Sequence, residues 1–294
     1  PPWVRPRWYE DLVLAEIDPW WGITDRSSSA EQRRRRSQNL AATGAQARYL
    51  LEVASSEGVG EILGSPVVRA ELAGVHTNLY MTFMDTAWRN SADEGITGLI
   101  HPESHFVDPN AGQLRRATFE RLRRHWQFIN EVFLFEDINH KTVFGIHVYG
   151  ASEAIRFAQA SYLFHPDTLD RSLGHDSNGE SPGIQHAGGG WDLRPHSSRI
   201  VTIDVQVLTS WAQLFDEPGT PPAEARLLRP VTDADLEALT VLSNQPKRLA
   251  DHDYRWTTGW HEKSAKTDGI IRWDSAVPGS WDEVILQGPH FSVA

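Results

Sequence analysis

The chain opens on Pro1, Pro2 and Trp3, residues whose types and spacing suit the handling of a flat ring that carries an amino group. Each proline fixes φ and lacks an N–H group, so the Pro1 carbonyl and the Trp3 ring are held in a defined relation. A fixed carbonyl accepts a hydrogen bond from an amino group, and an indole stacks on a base. Taken alone, a match this short is more often the start of an extended surface segment.

Histidines are the second set of residues that could do chemistry. His101 and His105 are four residues apart, but they follow a strand-like run and do not share a helix face. A Gly-rich segment holds three more that could form a zinc site, His175, His186 and His196. Scattered histidines of this kind are far more often ordinary residues, so we predict no metal site.

Four further segments follow the opening in order: TNLYMTFMDTAW (77–88), GITGLIHPESHF (95–106), LRRATFERLRRHW (114–126) and NEVFLFEDINHKTVFGIHV (130–148). With the opening, this order resembles the second half of the catalytic domain of N6-adenine DNA methyltransferases, particularly the large enzymes of restriction–modification and phage-defence systems. The catalytic motif of that family is Asn/Asp-Pro-Pro followed by an aromatic residue, and PPW resembles it without the first residue. The resemblance covers about residues 1–150, and later stretches such as GGGWDLRPH (188–196) are similar to downstream segments.

The resemblance implies four catalytic residues, Pro1, Pro2, Trp3 and Phe135. In the family, an adenine is flipped out of double-stranded DNA and methylated from S-adenosylmethionine. The carbonyl matching Pro1 orients the amino group, Trp3 stacks on the base, and Phe135 packs against it from another side. Catalysis of this kind depends mainly on positioning. We therefore expect Trp3 and Phe135 to lie close together in one concave pocket with the Pro1 carbonyl at its rim.

The resemblance also implies the residues near the cofactor. Phe83 matches an aromatic residue that contacts the adenine of S-adenosylmethionine, and Asn78 and Tyr80 belong to the same motif and hold its helix against the sheet. Considered without the family, Phe83 on an amphipathic helix and Phe135 at the end of a strand are more often core residues.

A basic cluster is the candidate for DNA contact. The segment 111–126 has an apolar stripe and is predicted to be a helix, with its arginines on the remaining surface. We predict phosphate contacts from Arg115, Arg116, Arg123 and Arg124. The alternative is a solvated helix face with no ligand.

The elements that must position these residues indicate an α/β fold. Helices are predicted over 27–57, 77–89, 111–126 and 232–243, and strands near 96–100, 128–136, 142–149 and 198–208. The resemblance implies that the strand at 142–149 lies between the other two early strands and antiparallel to them. This is the C-terminal half of a Rossmann-like class I methyltransferase sheet, over 1–155. A mixed α+β extension that leads toward the target-recognition region is predicted for 156–294, including a strand-like run at 280–294.

Composition sets limits on the class of protein. The net charge is −11, which argues against wholesale coating of nucleic acid but leaves room for a local basic surface. There is no cysteine and therefore no disulfide or thiolate metal site. No apolar run approaches the length of a membrane helix, and no secretory signal is visible, so we expect a cytoplasmic protein with no membrane partner.

The glycine-rich turn and the acidic residue that hold S-adenosylmethionine in this family are not found in the sequence. We therefore expect a fragment that needs the N-terminal half of the methyltransferase domain as its partner and is inactive alone. The alternative is a non-catalytic DNA-binding or scaffold module that retains the fold. Binding of S-adenosylmethionine distinguishes the two.

Overall fold

The computed structural model describes residues 1–5, 8–23, 28–76, 78–248, 251–253, 261–272, 277 and 279–283. The chain divides into two compact units, Pro1–Gln245 and Pro246–Ala294. In the first unit, the helices are α1 (Glu10–Ala15), α2 (Ser29–Leu40), α3 (Ala45–Gly64), α4 (Leu79–Asn90), α5 (Gly112–Arg121), α6 (Pro166–Leu173), α7 (Val205–Phe215) and α8 (Asp233–Ser243). Its strands are β1 (Thr97–Pro102), β2 (Leu122–Ile129), β3 (Val143–Tyr149), β4 (Arg156–Leu163) and β5 (Val201–Asp204). The second unit contains α9 (Glu262–Thr267).

The five strands form one mixed sheet in the order β1-β3-β2-β4-β5, and with its helices this makes an α/β fold. β3 lies between β1 and β2 and is antiparallel to both, as predicted. β2 and β4 are parallel, and β5 is antiparallel to β4. No helix among the described residues is long and apolar enough to cross a membrane.

The predicted position of the middle strand was wrong. The helix predicted over 111–126 ends at Arg121, and β2 begins at Leu122, so Arg123 and Arg124 lie in a strand. Arginine and leucine favour helices when considered alone, but pairing on both sides of β2 outweighs that preference. The apolar run that was predicted as the strand 128–136 is instead mostly a loop after Ile129.

Two helix predictions also need correction. The single helix predicted over 27–57 is two helices, because the chain turns before Gly44, which has a left-handed φ of 78°. In α4 the sequence predicts an apolar face of Leu79, Phe83 and Ala87, but this face does not point inward, since Phe83 is exposed. The buried face is formed by Tyr80, Met81 and Met84.

The predicted boundary near residue 155 does not separate two compact units. β4 and β5 lie beyond it and complete the same sheet, because β2 pairs directly with β4. The strand predicted over 198–208 is short, and α7 begins after Asp204, whose side chain accepts from the backbone N–H groups of Gln206 and Val207. The predicted helix at 232–243 is confirmed as α8, with a capping box. The predicted run at 280–294 falls largely outside the described residues.

Alternation along β2 and β3 gives the sheet two chemically different faces. One face carries an apolar cluster that includes Trp126, Phe128 and Phe144, and Trp3 packs against it. The opposite face carries buried polar side chains of β2 and β3, His125, Gln127 and His147. The two candidate sites described next lie on these opposite faces.

Candidate functional site

The opening segment is anchored to the edge strand β1. The indole Nε1 of Trp3 donates a hydrogen bond of 3.1 Å to the carbonyl of Ile100. The next residue, Val4, accepts from the backbone N–H of Leu79 at the start of α4, at 2.9 Å. The Trp3 ring stacks on Phe144 with centroids 5.7 Å apart. These contacts fix the orientation of an aromatic ring that is only partly buried.

Trp3 and Phe135 come together as the sequence predicted. Their ring centroids are 5.6 Å apart and the rings are nearly perpendicular, at 73°. They line a concavity of about 460 Å³, within the range of small-ligand sites. Its lining residues are Pro1, Trp3, Ile100, Phe135, Glu136, Asp137 and Ile138. We call this the aromatic pocket.

Asn130 holds the loop that carries Phe135, and the sequence analysis missed it. Its side chain is fully buried. The Oδ1 atom accepts from the backbone N–H of Phe135 at 2.9 Å, and Nδ2 donates to the carbonyls of Phe135 at 2.9 Å and Ile138 at 3.1 Å. Phe133, inside this loop, has a left-handed φ of 54°, which is uncommon for a bulky residue. An asparagine directly after a strand and before an apolar loop was the only signal available.

The three residues predicted near the cofactor lie on or beside α4. Asn78 caps the helix by accepting from the N–H of Tyr80. Tyr80 is fully buried, and its hydroxyl contacts Ser104 Oγ at 2.9 Å and His105 Nδ1 at 3.2 Å. Burial raises the pKa of Tyr80 to about 12. Phe83 is 48% exposed, and the described residues that line the aromatic pocket do not include it.

The four arginines predicted to contact DNA do not form one surface. Arg115 is buried, and its guanidinium donates to the carbonyls of Glu224, His105 and Asp108, so we correct its assignment to a structural one. Arg116 pairs with the carboxylate of Glu224 at 2.6 Å.

The other two arginines lie at the start of β2. Arg123 pairs with Glu153 at 3.0 Å and also donates to backbone carbonyls. Arg124 is exposed. It alternates onto the same face of the sheet as Trp126 and Phe128, the face that also carries the aromatic pocket. Of the four, Arg124 is therefore the best placed to meet a phosphate.

We expect DNA binding by the chain to be weak and salt-dependent, because the net charge is −11. Arg124→Ala should weaken binding and reduce the slope of log affinity against log salt by about 0.9, the loss of one phosphate contact.

Arg115→Ala should instead lower the free energy of unfolding by about 2 kcal/mol or more, because it removes three hydrogen bonds to carbonyls. Fluorescence anisotropy at several salt concentrations and urea unfolding measure the two effects. Affinity that is indifferent to salt would contradict this assignment.

The opposite face of the sheet carries a band of stacked histidines, His101, His105, His125 and His147, which we call the histidine band. Each of these side chains is fully buried. The rings of His101 and His147 are parallel with centroids 3.8 Å apart, and those of His125 and His147 are 5.0 Å apart. Burial lowers the pKa of His101 to about 4 and holds those of His105 and His147 well below their ordinary value.

Glu103, which follows β1, places a carboxylate against this band. Its Oε1 lies 2.5 Å from His125 Nε2, and its Oε2 accepts from Arg229 at 3.1 Å. Burial alone would raise the pKa of the Glu103 carboxyl, but His125 and Arg229 together hold it below the usual value. Donor atoms of Glu103, His125 and His147 all lie within 4.8 Å of one another and could hold a metal ion.

Two histidines of the Gly-rich segment also meet. His175 and His196 have ring centroids 5.0 Å apart, and His196 Nδ1 lies 2.7 Å from Ser198 Oγ. His125 and His147 escaped notice because they are far apart in the chain and meet only through the register of β2 and β3.

Comparisons with known proteins find weak similarity to solved structures, and two of these are from restriction–modification systems. One, from a study of complex assembly and conformational transition of the type I R-M system, is 12% identical with a TM-score of 0.32, and the match covers 58% of this chain and 38% of that one. The other, the type IIG restriction endonuclease BpuSI, is 14% identical with a TM-score of 0.30, and the match covers 65% of this chain and 21% of that one. This chain therefore spans well under half the length of either. No protein-family model and no curated protein matches the sequence.

Proposed function

We propose that residues 1–294 form part of a DNA adenine-N6 methyltransferase of a restriction–modification or phage-defence system, and that the aromatic pocket receives the flipped adenine. The observation that carries the proposal is the pocket itself. Two aromatic residues far apart in the sequence, Trp3 and Phe135, meet edge to face beside a space sized for a small ligand. One of them follows two prolines that hold its backbone rigid.

The chemistry of the pocket suits a base with an amino group. Trp3 offers a ring fixed by its bond to the Ile100 carbonyl, which suits stacking on any flat base. The Pro1 carbonyl would accept a hydrogen bond from the exocyclic amino group and orient its lone pair. The lining also includes the carboxylates of Glu136 and Asp137, which disfavour phosphate and favour N–H donors. The DNA backbone is then expected to lie away from this rim.

S-adenosylmethionine would supply the methyl group, and Phe83 fits one wall of its adenine site. Phe83 is an aromatic side chain left half-exposed on a helix that buries Tyr80 and Met84. Asn78 and Tyr80 fix the start of that helix and hold it against the segment after β1. One aromatic wall leaves most of a ligand in water, so affinity of residues 1–294 alone for the cofactor should be no better than about millimolar, roughly −4 kcal/mol.

The test is methyl transfer from labelled S-adenosylmethionine to unmethylated duplex DNA of mixed sequence. Residues 1–294 alone should transfer no methyl group, and adding the N-terminal half of the methyltransferase domain, in cis or as a separate chain, should restore transfer. Transfer by residues 1–294 alone would overturn the assignment of the cofactor site. DNA binding without transfer by the combined halves would favour the alternative, a scaffold module that keeps the fold and not the chemistry.

Trp3→Ala should lower methyl transfer by the combined halves by about 10- to 100-fold, because base–aromatic stacking contributes about 1–3 kcal/mol. Phe135→Ala should have a similar effect, and Trp3→Phe a smaller one. Phe215→Ala is the control, since Phe215 is an exposed aromatic residue at the end of α7, 48% against 38% for Phe135, and does not line the aromatic pocket. If Trp3→Ala and Phe215→Ala lowered methyl transfer equally, the assignment of the flipped adenine to this pocket would be wrong.

A further inference from the structure

Three buried side chains from three neighbouring segments converge on one point of the sheet. Glu103 follows β1, His125 lies on β2 and His147 on β3, and the two histidines are directly opposite each other in the register. Their side chains are at most 3% exposed. One donor atom from each lies within 4.8 Å of the other two. The aromatic pocket lies on the opposite face, so this cluster is separate from the proposed base-binding site.

The hydrogen bonds around His125 require an additional cation between its ring and Glu103. The side-chain amide nitrogen of Gln159, Nε2, donates to the carbonyl of Leu228 at 2.8 Å, because a carbonyl can only accept. The other amide atom, Oε1, therefore faces His125 Nδ1 at 3.3 Å, and Nδ1 carries the hydrogen. His125 Nε2 then presents a lone pair to Glu103 Oε1 at 2.5 Å. Two acceptors at that distance repel unless they share a proton, and a metal ion can take the place of that proton only if the two atoms move apart.

His147 favours the metal ion over the proton. Within the described part of the chain, neither of its ring nitrogens has an aligned hydrogen-bond partner, although the ring is fully buried. The backbone of Gly145 lies near the ring but does not meet the geometry of a hydrogen bond. A proton shared by His125 and Glu103 leaves both ring nitrogens of His147 without a partner. A metal ion accepts a lone pair from one of them, together with one from each of the other two side chains.

Gly145 lets the donor atoms pack directly against β3. A Cβ atom at this position would lie 2.3 Å from His147 Cε1, 2.6 Å from Glu103 Oε1 and 2.7 Å from His147 Nε2. Any other residue here would push Glu103 and His147 out of the cluster. The second oxygen of Glu103 is already held by Arg229 at 3.1 Å and Gln127 at 3.3 Å. Such outer contacts orient a carboxylate ligand, as the Gln159 contact orients His125.

We propose that Glu103, His125 and His147 bind a divalent first-row transition-metal ion, with zinc as the probe, and that this ion ties β1, β2 and β3 together. Two imidazoles and one carboxylate are a donor set that such ions accept. Ligand atoms of one tetrahedral zinc lie about 3.4 Å apart, so Glu103 Oε1 and His125 Nε2, now 2.5 Å apart, would separate by about 0.9 Å on binding. The proton that the pair otherwise shares would be released to solvent.

The experiment measures zinc bound per chain, by mass spectrometry after dialysis against zinc and then against metal-free buffer. The wild-type chain should retain one zinc ion, and its thermal midpoint should rise by about 5 °C over the chelator-treated chain. His147→Gln should lose both effects. His101→Gln is the matched control: His101 is equally buried and stacks on His147, but its two nitrogens already contact the Pro102 carbonyl and the Tyr149 hydroxyl. His101→Gln should retain the ion.

A measurement on the wild-type chain covers the case in which His147→Gln does not fold. X-ray absorption of the zinc-loaded chain should show two imidazole ligands and one carboxylate ligand. No retained zinc in the wild-type chain would overturn the proposal and leave a shared proton as the explanation of the short contact. The proposal would also be overturned if wild type and a folded His147→Gln variant retained zinc equally. A zinc spectrum that shows imidazole ligands but no carboxylate ligand would likewise mean that the ion binds elsewhere. Methyl transfer is not a readout, so failure here is distinguishable from failure of the proposed function.

Discussion

The chain should unfold between about pH 6 and pH 4 at 25 °C in metal-free buffer that contains a chelator. We expect the free energy of unfolding to fall by about 4 kcal/mol for each pH unit below about 6, which is steep against the 5–15 kcal/mol of a typical domain. Urea unfolding at pH 7.5, 6.0, 5.5 and 5.0 measures the slope. A free energy that stays constant over this range would show that the histidine band is accessible to protons without unfolding.

The sign follows from burial. His101, His105 and His147 have folded-state pKa values held far below the ordinary value by burial, to about 4 for His101. In the unfolded chain each takes up a proton near pH 6.5. Below that pH the unfolded state binds more protons, so stability is fully present above about pH 6.5 and is lost as the pH falls. Each histidine contributes about 1.4 kcal/mol per pH unit, and the three together about 4.

Two variants separate this cause from general acid sensitivity. His101→Gln removes one of the three titrating groups and should reduce the slope to about 3 kcal/mol per pH unit. His76→Gln removes a histidine that is exposed, and the slope should stay unchanged. If both variants reduce the slope equally, the acid sensitivity does not come from the histidine band.

The order of the elements could be predicted well, because the apolar runs of β1 and β3 are short and are bounded by turn-forming residues. The place of β3 between β1 and β2 was implied by the family resemblance, since a sequence shows strands and not their neighbours. The meeting of Trp3 with Phe135 came from the same source. The cofactor role of Phe83 and the base-binding role of Trp3 stay predictions, because they depend on ligands.

The features that could not be predicted depend on contacts between segments that are far apart in the sequence. Residues 122–126 were predicted as the end of an arginine-rich helix, but they belong to β2, which β3 and β4 pair with on either side. That pairing places Arg124 in the open and brings His125 opposite His147. Arg115 reads as a surface arginine, and only the packed fold shows the three carbonyls around it. In each case the deciding partner lies in a different element of the fold.

Asn130→Asp should abolish the aromatic pocket. The substitution keeps the size of the side chain and the acceptor for the Phe135 N–H, but it replaces the Nδ2 donor with an oxygen. That oxygen would face the carbonyls of Phe135 and Ile138 at about the present distances of 2.9 and 3.1 Å, in a fully buried site. An unpaired buried charge costs about 3–5 kcal/mol, so we expect the loop from Phe133 to Asn139 to leave its place. Hydrogen exchange at the Phe135 amide should change from slow to fast.

The consequence for function should be larger than that of removing either aromatic ring. Without the loop, Phe135, Glu136 and Asp137 all leave the pocket, so methyl transfer by the combined halves should fall by about 100-fold or more. Asn139→Asp is the control, since it makes the same change of charge in the same loop. The Asn139 side chain is exposed and accepts from the Lys141 N–H at 2.8 Å, a role that an aspartate keeps. Slow exchange at Phe135 in the Asn130→Asp variant would mean that the loop is held by its own packing on Trp3 and Phe144, and that Asn130 only completes hydrogen bonds that packing has already positioned.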